Sequence, residues 1–249
     1  MAQTFYPTAS TIITRALTDL GAIDPEGGIT PSAAQTTDAL QVLNFLITSY
    51  QGHGMQVWCQ KQGVLPLTAD TNSYTLGPGG DLNIARPLNI TQAWLRDTNT
   101  TPNMDIPVLV KGREEYNLLS GKTVPGSPNL VFYDPQYDLP GSNSGASAKG
   151  KLYVWPVPTA ALATQYDLYF TYTRPIQDFS ATSDTLDFPQ EWYDAIRWNL
   201  ALSLAPSYEV PVMKWDRIKA MARDTLELAL ASDRSTVSVT VSPATHTNA

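Results

Sequence analysis

The sequence predicts an α+β protein: an antiparallel helical bundle formed by N- and C-terminal helices, with an inserted small antiparallel β domain and an extended C-terminal arm. Three observations carry this. Apolar residues recur at three- and four-residue spacing near both ends of the 249-residue chain. The middle changes to short runs rich in Tyr, Val, Ile and Thr, broken by Gly, Pro and Asn. Residues 235–249, STVSVTVSPATHTNA, hold no Lys, Arg, Asp or Glu. The boundaries that follow are 1–56 for the N-terminal helices, 57–186 for the β insert, 187–232 for the C-terminal helices and 233–249 for the arm.

The first helix is expected over TASTIITRALTDL, residues 8–20. Thr8 or Ser10 can accept an orphan N–H there, and Gly21 is a natural stop. Ala9, Ile12, Ile13, Ala16, Leu17 and Leu20 make its apolar stripe. The second helix is expected over residues 31–50, opening at Pro31, with Ala39, Val42, Leu43, Leu46, Ile47 and Tyr50 facing one way. Seven strand-like runs then follow between Val57 and Arg174, and REEYNLL (113–119) is read as the single short helix among them. Residues 140–147 read as a hairpin-tip loop. Helix returns at 190–205 and 212–232; in the last, Trp215, Ile218, Ala222, Leu226 and Ala229 form the core stripe.

Composition excludes several classes of function. Charged residues are only 16% of the chain, against about a quarter in an ordinary soluble domain. The surface must then be covered by uncharged polar groups or by partners. A net charge of −7 makes the chain a poor binder of nucleic acid, which is held by Lys and Arg displacing counterions. Cys59 is the only cysteine, so no disulfide forms within the chain and a cytosolic setting is expected. The N-terminus lacks the basic head and apolar run of a signal peptide, and no apolar run approaches the ~20 residues of a membrane span.

Little points to catalysis. With one cysteine and two histidines, His53 and His246, no zinc spacing exists, and nothing around Cys59 resembles a nucleophile turn. GPGG (77–80) lacks the lysine and spacing of a phosphate loop and reads as a β-turn. Glu114 and Glu115 lie on the short helix, and Asp184, Asp187, Glu191 and Asp194 precede or open the third long helix. A glycan hydrolase needs two carboxylates across a sugar-sized cleft, one with a raised pKa. Acids at a helix start are explained as well by capping and the helix dipole. No enzyme activity, no cofactor and no metal are expected.

One stretch is unusual. From Trp198 through Pro206 the third long helix has no charge. Trp192, Ile196 and Leu200 run at four-residue spacing on one face, and Trp198 and Leu202 lie on others. A helix apolar nearly all round is buried nearly all round. The expectation is that it packs within its own bundle and against a neighbouring copy, with Trp192, Ile196, Trp198, Leu200 and Leu202 at the subunit interface. Head-to-tail contact that closes gives a ring. The alternating Val237, Val239 and Val241 read as a strand with nothing local to pair with: either a frayed tail or an arm that adds to another chain's sheet.

The series TDLGAIDPEGG, DALQVLNFLITSYQGHGMQVW, SYTLGPGGDLNIARP, KGREEYNLL, GSPNLVFYDP, LYVWPVP and LDFPQEWYDAIRWNLALSLAPSYE resembles, in that order, the head-to-tail adaptor proteins of short-tailed bacteriophages. These are also called tail accessory or packaged-DNA stabilisation proteins. The resemblance covers about residues 8–230. It implies a structural virion protein at the head–tail junction, assembled in the host cytoplasm. Twelve copies would form a ring beneath the portal protein, extend the DNA channel and help retain packaged DNA. A downstream tail protein would dock on the far side, and the arm with Val237, Val239 and Val241 would reach the portal. DNA would pass without sequence-specific binding, and an acidic wall would let it slide. The alternatives are a peptidoglycan hydrolase, an activity suggested for relatives of that family, and a ligand-binding β module of a tail protein.

Overall fold

A computed structural model describes residues 5–24, 26–52, 57–136 and 149–233. Residues 140–147, His53, His246, Val237, Val239, Val241 and the remainder of the expected arm lie outside the described residues. In chain order the helices are α1 (Ala9–Leu20), α2 (Ala33–Gly52), α3 (Arg113–Asn117), α4 (Ala160–Gln165), α5 (Tyr193–Leu204) and α6 (Val212–Ser232). The strands are β1 (Gln60–Pro66), β2 (Ser73–Leu76), β3 (Asn89–Asp97), β4 (Asp105–Lys111), β5 (Leu130–Asp134), β6 (Gly150–Trp155) and β7 (Tyr166–Thr173). The protein is thus a mixed α+β chain. Its contacts divide it into two units: Trp58–Gln177, which holds all seven strands, and the segments on either side, which hold the four long helices.

In the helical unit, α1 starts where Thr8 Oγ1 accepts the Thr11 amide (3.3 Å) and ends where Gly21, at φ 73°, turns back to donate to Leu17 and Thr18 carbonyls. Only glycine takes that left-handed turn without strain. The stripe Ala9, Ile12, Ile13, Ala16, Leu17 and Leu20 is fully inside. The returning chain completes the helix start: the Ala9 and Ser10 amides donate to the carbonyls of Asp184 (2.9 Å) and Thr182 (2.8 Å). α2 opens at Ser32, not Pro31, through a reciprocal cap in which Ser32 and Gln35 bond each other's amides (3.2 and 2.9 Å).

α5 lies at the centre of this unit and packs on α1, α2 and α6. Ala195, Ile196, Leu200, Ala201 and Leu204 are buried. Its few polar residues also serve helix contacts. Arg197 grips Asp19 of α1 with two nitrogens (2.6 and 3.1 Å), and Asn199 Nδ2 donates across to the Ala222 carbonyl of α6 (3.0 Å). Three helices of the same chain thus cover Ile196, Leu200 and Leu204, while Trp198 and Leu202 stay half-buried.

The sheet has the order β1-β7-β3-β4-β5-β6-β2. All seven strands contribute to one core, from Leu65 of β1 to Leu76 of β2 at the opposite edge. Residues on two far edges share a core only if the sheet curls over on itself. Gly63 faces Phe170, whose ring would lie 2.6 Å from any Cβ added there. The expected antiparallel β domain needs one correction: β4 and β5 pair in parallel. Parallel neighbours require a long crossover, and residues 112–129, including α3, provide it. α3 then covers the outer face of β5 and β6, with Tyr116 stacked on Phe132 (5.4 Å) and tilted against Tyr153 (5.2 Å). Arg113 of α3 pairs with the buried Asp134 (2.6 Å). α4 was not anticipated by periodicity, because it buries no residue and so carries no apolar stripe.

Two measurements follow. Ile196 is completely buried at the centre of α5, so Ile196→Ala should cost about 2–5 kcal/mol in denaturant unfolding. Asp184 accepts the Ala181 amide, the Ser180 hydroxyl and the Ser180 amide, which together hold its carboxyl below the usual carboxylate range. A lowered folded pKa stabilises above the unfolded value, near ~3.9, and the gain is lost as pH falls through the folded one. Stability to denaturant should therefore fall on acidification below about pH 4, and Asp184→Asn should lessen that fall, with Asp81, Asp97, Asp105 and Glu115 supplying the rest; an unchanged acid profile in the variant would refute the assignment.

Candidate assembly surface

Along α5 and α6 the helical unit leaves apolar area partly uncovered. Trp192, Ile196 and Leu200 are 3%, 0% and 0% exposed. They belong to the subunit's own core and have no surface left for a second chain. Trp192 instead meets Tyr50 of α2 edge-to-face (5.6 Å). Trp198 and Leu202 are half-buried. The Arg197 guanidinium lies over the Trp198 ring at 4.8 Å, so the same arginine holds α1 and shields one tryptophan face.

Between α5 and α6 runs a shallow groove of about 470 Å³. It is lined by the large apolar side chains of Leu202 and Leu226, the small Ala220 and Ala222, and the polar Asn199. Asp216, Lys219 and Arg223 form the rim. Arg223 is engaged by Asp224 (3.2 Å) and Glu227 (3.9 Å) on its own helix. Sequence periodicity assigned Leu226 to the core stripe and Lys219 and Arg223 to a wet face. The groove arises because small residues at 220 and 222 leave a hollow beside a leucine that core packing only half covers.

The candidate carboxylates do not form a catalytic pair. Glu115 binds Lys111 (2.6 Å) and accepts the Gly112 amide (3.0 Å), and these contacts lower its pKa. That is the wrong direction for a general acid, and it explains Glu115 as a brace on the start of α3. Asp184 folds the loop before α5, and Asp194 pairs with Arg197 (3.3 Å). Glu114 and Glu191 are exposed. In the Gly77–Gly80 turn, the amides of Gly77, Gly79 and Gly80 donate to Leu82, Asn83 and Gly77. None of these N–H groups is left to cradle a phosphate. Cys59 is buried. Among the described residues no group of His, Cys, Asp and Glu could hold a metal ion, and no helix is long and apolar enough to cross a membrane.

The aromatic residues of the sheet are mainly structural. Tyr74, Tyr116, Tyr133 and Tyr172 are buried. Trp94 stacks on Tyr169 (5.9 Å), and Arg96 covers that tyrosine at 4.4 Å while pairing with Asp105 (2.7 Å).

The family model described as SU10 adaptor protein matches residues 7–244. This is nearly the whole chain, including the segment with Val237, Val239 and Val241. No curated protein matches it.

Glu115 is held ionised and Glu114 stands exposed beside it, so the chain should leave a peptidoglycan suspension turbid. Clearing that is lost in Glu114→Gln or Glu115→Gln would overturn this reading of α3.

Proposed function

Because the chain belongs to the SU10 adaptor protein family, a family of structural adaptors in bacteriophage particles, we propose that its copies form a ring between the portal and the tail of a phage. The ring, of twelve copies, extends the DNA channel and helps retain the packaged genome. The observation that carries this reading is the family match across residues 7–244. It agrees with the resemblance to phage head-to-tail adaptors and includes both the helical and the sheet-forming segments.

Physical features of the chain support the details. With a net charge of −7, the subunit repels phosphate more than it attracts it, which suits a channel wall past which DNA moves without sequence-specific contact. Trp198, Leu202 and the apolar walls of the α5–α6 groove supply apolar area for contact between copies. The chargeless segment 235–242, with valine alternating against Ser and Thr, has the pattern of a strand that adds to another protein's sheet edge. We assign it to the portal. The downstream tail protein docks on the opposite side of the ring. Assembly takes place in the host cytoplasm, and the finished place of the protein is the head–tail junction.

Particle mass tests the ring. Mixing the chain with its portal should add a whole multiple of 27.2 kDa to each portal particle, twelve in this reading, and an unchanged portal mass would sink it. Deleting residues 235–249 should abolish attachment to the portal while leaving the helical circular-dichroism signal intact. Full attachment by the truncated chain would remove the arm from the mechanism.

A further inference from the structure

α2 carries a surface that the fold does not use. Asp38 is the only charged residue in Ala33–Gly52, and it is exposed. It makes no hydrogen bond or ion pair among the described residues. Seven residues later, on the same face of the helix, Phe45 is 75% exposed. An exposed phenylalanine in the middle of a helix, on a face with one charge, is not explained by the packing of this chain.

The α5–α6 groove has the matching pattern. Lys219 on its rim makes no ion pair among the described residues, unlike Arg223 beside it. Leu226, seven residues later on the same helix, is an apolar wall of the groove, opposite Leu202. Both pairs are separated by about 10.5 Å along their helices. One helix thus presents an acid and a ring, and the other a base and a hollow, at the same spacing and in the same N-to-C order.

We propose that α2 of one copy lies along the α5–α6 groove of the next, with Phe45 seated between Leu202 and Leu226 and Asp38 paired with Lys219. Knob and hollow are on different helices of the subunit, so the contact can repeat head-to-tail from copy to copy, and a head-to-tail contact can propagate into a closed ring. Both helices of the contact run in parallel. The ion pair fixes register and orientation, and the phenylalanine supplies the buried anchor. Asp216 sits on the rim three residues before Lys219, so a register displaced toward the start of α6 brings Asp38 toward a like charge and is disfavoured. This inference rests on the ring reading above and names the surfaces that make the ring.

The test uses the full chain assembled on its portal, with two independent readings. The double variant Phe45→Cys, Leu226→Cys, treated with a short bis-maleimide, should give a ladder of linked copies, while each single variant stays unlinked; native Cys59 is buried and does not interfere. In the second, Asp38→Lys or Lys219→Asp alone should weaken ring formation by roughly two- to fivefold per contact, and the two changes together should restore it. Rings of normal mass with neither ladder nor charge rescue would overturn the α2-to-groove contact and leave the ring itself standing. Failure of the unaltered chain to form any ring on the portal would overturn the ring reading and this contact with it.

Discussion

The burial of α5 by three helices of its own chain is the constraint on which the rest of the helical unit depends. α1 and α2 touch each other less than each touches α5, and α6 packs mainly against α5. Without the central helix the other three would have no common core. This is why it carries so little charge: most of its positions meet apolar side chains of the three surrounding helices. Arg197 and Asn199 are polar in sequence, yet they act as fasteners to α1 and α6. A buried donor or acceptor left without its partner costs more than the bond contributes when made, so these residues specify one arrangement of helices as well as stabilising it.

A core completed within one subunit changes what an assembly contact can be. An obligate interface usually resembles a domain core cut in two. Here no half-core is left open. What the helical unit offers is an apolar groove with charged edges and a helix face with little charge. Contacts of that kind suit a subunit that folds alone and joins its partners later. The sheet unit is self-sufficient in the same sense. β5 is buried on both faces, inside by the curled sheet and outside by α3, and the buried Asp134 and Asp97 are each held by hydrogen bonds or ion pairs from neighbouring residues.

Much of the fold was legible in the residues. The α1 stripe, with its Thr8 cap and Gly21 stop, could be read from spacing alone, because local rules and tertiary packing agree there. All seven strand runs formed strands for the same reason. The parallel β4–β5 pairing was not legible, since REEYNLL signals a helix and says nothing about which strand the chain reaches next. α4 carried no signal because nothing in it is buried. The candidate surface was only half legible. An uncharged helix announces burial but does not say by what, so Trp192, Ile196 and Leu200 pointed to contact between chains when they mark contact within one. The groove depends on side-chain size at 220 and 222 and on the approach of two helices, neither of which periodicity can report.

The α1–α2 hairpin and the α5–α6 hairpin that complete one helical core are separated in the chain by the whole of Trp58–Gln177. During synthesis the first two helices emerge with no partner, their apolar stripes waiting on a segment that the ribosome has not yet made. The strands, all finished by Thr173, can close their own core in the meantime. The first two helices therefore complete their core only after α5 has been made, later in synthesis than the strands. A subunit caught before that moment has neither the groove nor a rigid α2 face. Completion of the last two helices is thus also the event that creates the α5–α6 groove.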